Sequence, residues 1–119
     1  MRRNGHKYNA QPTMVDNIRF ASKAEAKRYG ELKMLEKAGK ISDLCLQPRF
    51  PLLLANRLGI GTVSLGVYVA DFQYVEYTHP SAPGVLITED VKGVKTPLYR
   101  WKKKHVEAQY GITITEITR

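Results

Sequence analysis

Apolar and polar residues recur along the chain with different periods, and each period predicts an element. Residues 13–20 set two short apolar pieces around Asp16-Asn17, a pair that tolerates positive φ, which is the pattern of a small hairpin. Ser22 then opens a helix, because it is an N-cap residue with Glu25 three places on, the spacing of a capping box. Ala24, Tyr29, Leu32 and Leu35 supply the apolar positions of that helix. Lys23, Lys27, Lys33 and Lys37 mark its wet side, and Gly39 its end. Residues 41–54 are rich in apolar side chains interrupted by Pro48 and Pro51, and predict a strand whose second half lies at an edge. After a loop over 55–61, residues 63–77 are dense in β-branched and aromatic types and predict the clearest strand. A turn over 78–84 leads to a strand over 85–92, closed by Gly93. Pro97 suits the first turn of a second helix, which runs to about Tyr110 and stops at Gly111. In that helix Leu98, Trp101, His105 and Ala108 are the positions expected to face the sheet. Residues 112–117 alternate and predict a last strand.

The order is hairpin, helix, three strands, helix, strand. It predicts an α/β (α+β) domain with a central mixed sheet flanked by helices. A length of 119 residues suits one domain with one core, spanning 1–119, with the polar, basic stretch 1–12 read as a flexible arm. No apolar run approaches the ~20 residues that cross a bilayer. The basic residues near the start have no apolar segment behind them, unlike a signal peptide. A cytoplasmic location is expected. The single cysteine, Cys45, can form no internal disulfide and reads as a small buried hydrophobe. Nineteen Lys and Arg against eleven Asp and Glu give a net charge of +8. That balance favours a phosphate backbone as partner, without separating DNA, RNA and acidic protein surfaces.

Within this frame one set of residues carries chemistry. On the 63–77 strand the odd positions Val63, Leu65, Val67, Val69 and Asp71 share a face, so Asp71 continues an apolar row. A carboxylate there is costly unless it is paired or binds a metal. On the next strand Asp90 and Lys92 share a face and Glu89 points the other way. A seven-residue connection lets the two strands lie antiparallel, with Asp71 beside Asp90. Two carboxylates anchor Mg²⁺ or Mn²⁺, hard cations that keep several waters, and such a cation stabilises the oxygens of a phosphodiester displacement. Lys92 would orient or deprotonate the attacking water. A strand-end salt bridge fits the same spacing, since Asp-x-Lys is a frequent tripeptide. His6, His79 and His105 lack zinc-ligand spacing, and no phosphate-binding Gly-x-x-x-x-Gly-Lys loop is present.

The runs Val69-Ala70-Asp71-Phe72 and Thr88-Glu89-Asp90-Val91-Lys92-Gly93 resemble the PD-(D/E)XK nuclease superfamily, whose restriction-endonuclease-like core has the order α-β-β-β-α-β. Several further runs extend the likeness to a family of small phage and prophage nuclease-like proteins. They are Lys7-Tyr8-Asn9, the hairpin 15–20, Ser22-Lys23-Ala24-Glu25-Ala26 and Leu46-Gln47-Pro48-Arg49-Phe50. The resemblance implies that Asp71 and Asp90 bind metal, that Lys92 is catalytic, and that Glu25 adds a metal-shell carboxylate from the first helix. The capping box alone would explain Glu25, although an acid on the core-facing stripe of the helix is unusual; the resemblance also sets Gln47 near the site, where a backbone partner in its strand explains it equally. The superfamily motif allows either acid before x-Lys; here Asp90 has that spacing and Glu89 does not.

The basic row Lys95, Arg100, Lys102, Lys103 and Lys104 follows the site, and Arg2, Arg3 and Lys7 precede it. Such cations would position DNA by its phosphates rather than read its sequence. The expectation is a Mg²⁺-dependent DNA endonuclease, phage- or prophage-encoded, acting in recombination, replication or packaging, with a homodimer as the assembly so small a protein would form. A Holliday-junction resolvase is a variant of this reading. A non-catalytic DNA-binding protein on a nuclease fold, or a basic scaffold for another phage protein, are the alternatives.

Overall fold

A computed structural model describes residues 12–56, 58–59 and 61–118. Strands β1 (Thr13–Val15) and β2 (Ile18–Phe20) form the expected hairpin. Asp16 and Asn17 both adopt positive φ, 52° and 63°, the two-residue turn whose twist matches the strands it joins. Helix α1 (Lys23–Lys37) starts on Ser22, whose side chain accepts from the Glu25 amide at 3.1 Å. Gly39, at φ 75°, follows its end. The lysine of its last turn, Lys37, suits the negative end of the helix dipole.

Strands β3 (Ile41–Leu46), β6 (Phe72–Glu76), β7 (Val85–Lys92) and β8 (Ile114–Thr118) build a four-stranded sheet in the order β3-β6-β7-β8. The first three run antiparallel to their neighbours and β8 pairs parallel with β7, so the sheet is mixed, as expected. Helix α2 (Pro97–Tyr110) makes the crossover between β7 and β8. Thr96 caps its start, and Gly111 in the left-handed conformation ends it. Phe20, Ala26, Tyr29, Leu32, Ile41, Phe72, Tyr74 and Val91 bury the α1 face of the sheet. Leu52, Tyr68, Ala70, Tyr99, Val106 and Ile114 form the second core, under α2. Neither helix is long and apolar enough to cross a membrane.

Each of the two long expected strands is broken in two. The run 41–54 is β3 and then β4 (Arg49–Ala55), and the run 63–77 is β5 (Thr62–Val69) and then β6. Both break at one corner. Pro48 has no N–H to give a ladder, and Gln47 sits at φ 51°. Backbone bonds carry the hairpin across the corner, Gln47 N–H to Asp71 O at 2.9 Å and Ala70 N–H to Pro48 O at 3.1 Å. Beyond it, among the described residues, β4 and β5 pair only with each other, as a separate two-stranded ribbon.

The corner also corrects the expected alternation. Tyr68 and Ala70 are buried, whereas Val63, Leu65 and Val69 are exposed, so Asp71 does not end a buried apolar row. Three smaller corrections follow. The sheet-facing residues of α2 are Tyr99 and Val106, while Leu98 and Trp101 are 62% and 54% exposed and Ala108 is exposed. The expected face was thus one residue, about 100°, out of phase. Cys45 is exposed, because β3 is an edge strand with β6 alone beside it. The last strand begins at Ile114 rather than at residue 112.

Candidate functional site

The corner delivers Asp71 to β7. The Asp71 amide donates to Glu89 O at 3.0 Å, and its carboxylate Oδ2 accepts from the Val91 amide at 2.7 Å. Asp71 is therefore held from both ends against the segment that carries Asp90 and Lys92. Burial raises its pKa, against the pull of the Val91 amide and of Lys92.

Side chains alternate along β7, and the two neighbouring acids have opposite fates. Glu89 faces α1, is 1% exposed, and is fully bonded. Arg28 grips it with two parallel bonds, Nε to Oε1 at 2.9 Å and NH2 to Oε2 at 2.6 Å, and the Tyr74 hydroxyl donates to it as well. The same pairing drives the Arg28 pKa up. Asp90 faces α2 and is equally buried, yet neither of its carboxylate oxygens has a hydrogen-bond partner among the described residues. Burial pushes its pKa up to about 6, although Lys92 pulls it down. An unsatisfied buried carboxylate is expensive, and such a group calls for an explanation.

Lys92 lies two residues on, with its Nζ 4.3 Å from the centre of the Tyr99 ring. The ring face holds the ammonium without neutralising it, as a carboxylate would. The Tyr99 hydroxyl is itself committed to Glu116 at 2.8 Å. No ion pair between Lys92 and an acid is formed among the described residues at salt-bridge distance, so the strand-end salt bridge is not what this lysine makes.

Glu25 comes from the first turn of α1. Ser22 caps the Glu25 amide at 3.1 Å, and the Glu25 carboxylate is steadied by the Ala21 backbone. Its pKa rises to about 7, first from burial, then from the repulsion of Asp71 and Asp90, while Lys92 lowers it. Glu25 thus feels the charges of Asp71, Lys92 and Asp90. Gln47 joins Glu25 and Asp71 in lining a small pocket of about 110 Å³ beside them. Among the described residues no three His, Cys, Asp or Glu side chains gather into a ready-made metal cage. The donors on offer are oxygens only, and the orphaned Asp90 carboxylate is one of them. That set fits a hard cation that keeps part of its water shell.

The basic row divides on inspection. Lys95 and Lys103 are held by Glu116 at 3.0 and 3.6 Å, and Lys103 also lies 4.0 Å from Glu107. Lys102 reaches the Val67 carbonyl at 3.2 Å and so ties α2 to β5. Arg100 and Lys104 are exposed and have no carboxylate partner among the described residues. With Lys95, Lys103, Glu107 and Glu116 they line an open groove of about 500 Å³. Arg2, Arg3 and Lys7 lie outside the described residues.

Four residues around the site escaped the sequence reading: Arg28, Tyr74, Tyr99 and Glu116. Arg28 offered one signal. It falls one turn after Glu25 and next to Tyr29 on the sheet side of α1, where a cation needs a buried acid. The partner of Asp90 on the neighbouring parallel strand, Glu116, required the β7–β8 register.

No curated protein and no solved structure matches the chain. A family model described as "Protein of unknown function (DUF1064)" matches residues 5–119, nearly the whole length, and the chain belongs to that family.

Proposed function

We propose that this protein is a Mg²⁺- or Mn²⁺-dependent DNA endonuclease of the PD-(D/E)XK type. One observation carries the reading: Asp90 is buried with both oxygens unpartnered, two residues before Lys92, while Glu89 beside it is fully satisfied. Natural folds rarely keep such a group unless a ligand completes it. In this reading Asp71 and Asp90 hold the cation, Glu25 completes its shell through water, and Gln47 borders the same pocket. When bound, the cation would stabilise charge on the oxygens of the scissile phosphate. Lys92, parked on the Tyr99 ring with its charge unspent, would orient the attacking water, or take its proton once it has given up its own. Arg100 and Lys104 contact flanking phosphates. Cleavage would leave a 5′-phosphate and a 3′-hydroxyl, as the resemblance implies. A cytoplasmic role in phage or prophage DNA recombination, replication or packaging, and a dimer that resolves junctions, belong to the same proposal.

The lack of a third clustered ligand among the described residues favours one competitor, a DNA-binding protein that does not cut. A cleavage panel of linear, circular, flapped and four-way DNA with Mg²⁺ or Mn²⁺ separates the two. Metal-dependent cutting that Asp90→Ala abolishes supports the nuclease. Salt-sensitive binding without cutting in either metal supports the competitor.

A further inference from the structure

Among the described residues the hairpin β1–β2 pairs with no other strand, and the nuclease reading gives it no task. It is nevertheless pinned at both ends. At its turn the Tyr29 hydroxyl donates to Asp16 Oδ2 at 2.9 Å, and at its base Phe20 is buried against Tyr29 and Phe72, with ring centres 5.0 and 6.4 Å away. Between those pins stands Arg19, exposed. Its guanidinium has no hydrogen-bond or ion-pair partner among the described residues. Arg19 lines the 110 Å³ pocket together with Glu25, Gln47 and Asp71 over apolar walls that include Ile18 and Phe72.

An unspent arginine on a rigid mount, in a pocket that shares two acids with the proposed metal site, is suited to an anion delivered to that site. Its position relative to the exposed cations of α2, Lys104 and Arg100 (whose Nε donates to the Lys95 carbonyl at 3.3 Å), defines a path. Arg19 belongs to the layer of α1, whereas Arg100 and Lys104 belong to α2, on the opposite face of the sheet. The acids lie where the two layers meet at the strand ends. We infer that Arg19 binds a phosphate of the substrate strand next to the scissile one, with the adjoining sugar against the apolar wall of this pocket. The strand then passes the acids and continues toward the Arg100–Lys104 groove. This rests on the nuclease reading for its substrate and adds a second, separate phosphate contact to it.

Arg19→Ala and Arg19→Lys test the inference in the full chain, with Asp90→Ala alongside. The readouts are KM and kcat on a DNA duplex, the salt dependence of DNA binding without metal, and the melting temperature. For Arg19→Ala we expect KM to rise about tenfold with a smaller change in kcat, the signature of lost substrate binding. The slope of log affinity against log salt should fall by roughly 0.7–0.9, one phosphate. Arg19→Lys should recover most of both at an unchanged melting temperature. Wild-type KM and slope in Arg19→Ala, with Asp90→Ala inactive, would overturn this inference and leave the nuclease reading intact. Loss of slope in Arg19→Ala of a protein that binds DNA but cuts nothing would keep the contact and remove the nuclease. A KM rise that Arg19→Lys shares, with both variants melting lower, would mean a structural role and overturn it too.

Discussion

The carboxylate of Asp71 accepts the backbone amide of Val91 at 2.7 Å, so one aspartate is fastened to the peptide between Asp90 and Lys92. The bond sets the spacing of the site through the main chain, not through side-chain rotamers. Asp71→Asn keeps the shape and an acceptor oxygen but loses the charge. It should reduce Mg²⁺ affinity at least tenfold while shifting the melting temperature little, checked by metal titration and thermal unfolding.

Adjacent acids should fail in opposite ways. Glu89→Ala strips the half-buried Arg28 guanidinium of its paired bonds, leaving only the one from NH1 to Glu31, and should cost about 3 kcal/mol of stability, measured by urea unfolding. Asp90→Asn removes a buried charge that has no partner. It should stabilise the metal-free protein at pH 8 by roughly 1–3 kcal/mol and abolish cleavage. Equal destabilisation by both would refute the assignment of Asp90 as the ligand-seeking acid.

The same acids predict an unusual pH response. Glu25 and Asp90 have folded-state pKa values raised to about 7 and about 6, above 4.5 and 3.8. The stability they contribute is complete below those lower values and is lost as pH rises through 6 and 7. Metal-free protein should therefore be less stable at pH 8 than at pH 5, by on the order of a few kcal/mol, and should melt at a lower temperature there. Saturating Mg²⁺ at pH 8 should restore much of it by binding the folded state alone. Glu116, whose pKa is lowered first by Tyr99 and then by Lys95, acts in the other direction, but only as pH falls below the ordinary carboxylate range.

The hairpin turn, both helix caps and the strand 85–92 were legible because their signals are local: Asp16-Asn17, Ser22 with Glu25, Gly39, Pro97 and Gly111. The acids and Lys92 were legible for the same reason. What was hidden depends on pairs far apart in the chain. Pro48 announced an interruption in its own strand, but nothing near Asp71 announced that the opposing strand bends with it. Tyr99 was passed over for Leu98 and Trp101 because its burial depends on Glu116, which accepts its hydroxyl, and on Lys92, which lies on its ring. Arg28 and Glu89 are 61 residues apart.

The basic row should separate into two kinds of residue. Arg100→Ala and Lys104→Ala should each lower the salt slope of DNA binding by about 0.7–0.9 with little effect on stability. Lys102→Ala should leave the slope unchanged and cost about 0.5–1.5 kcal/mol, because it removes a bond to the Val67 carbonyl. Fluorescence-anisotropy titrations across salt concentrations, with unfolding curves, would check both.

Tyr68 is buried 3% exposed, with its hydroxyl unpartnered among the described residues. Tyr68→Phe should stabilise the fold by about 1 kcal/mol with activity unchanged, read by thermal unfolding and the cleavage assay.

The corner at Gln47 and Ala70 has one more consequence. Because β4 and β5 leave the four-stranded sheet there, the ribbon rests on α2, where Gln109 and Tyr110 donate to Pro51 O and Gln109 accepts from the Leu53 amide. Lengthening or shortening the connection over 56–61 moves the tip and leaves Asp71 where its bonds to Glu89 and Val91 hold it. The reach of the molecule can thus change, by descent or by design, without disturbing the site at the ribbon's root.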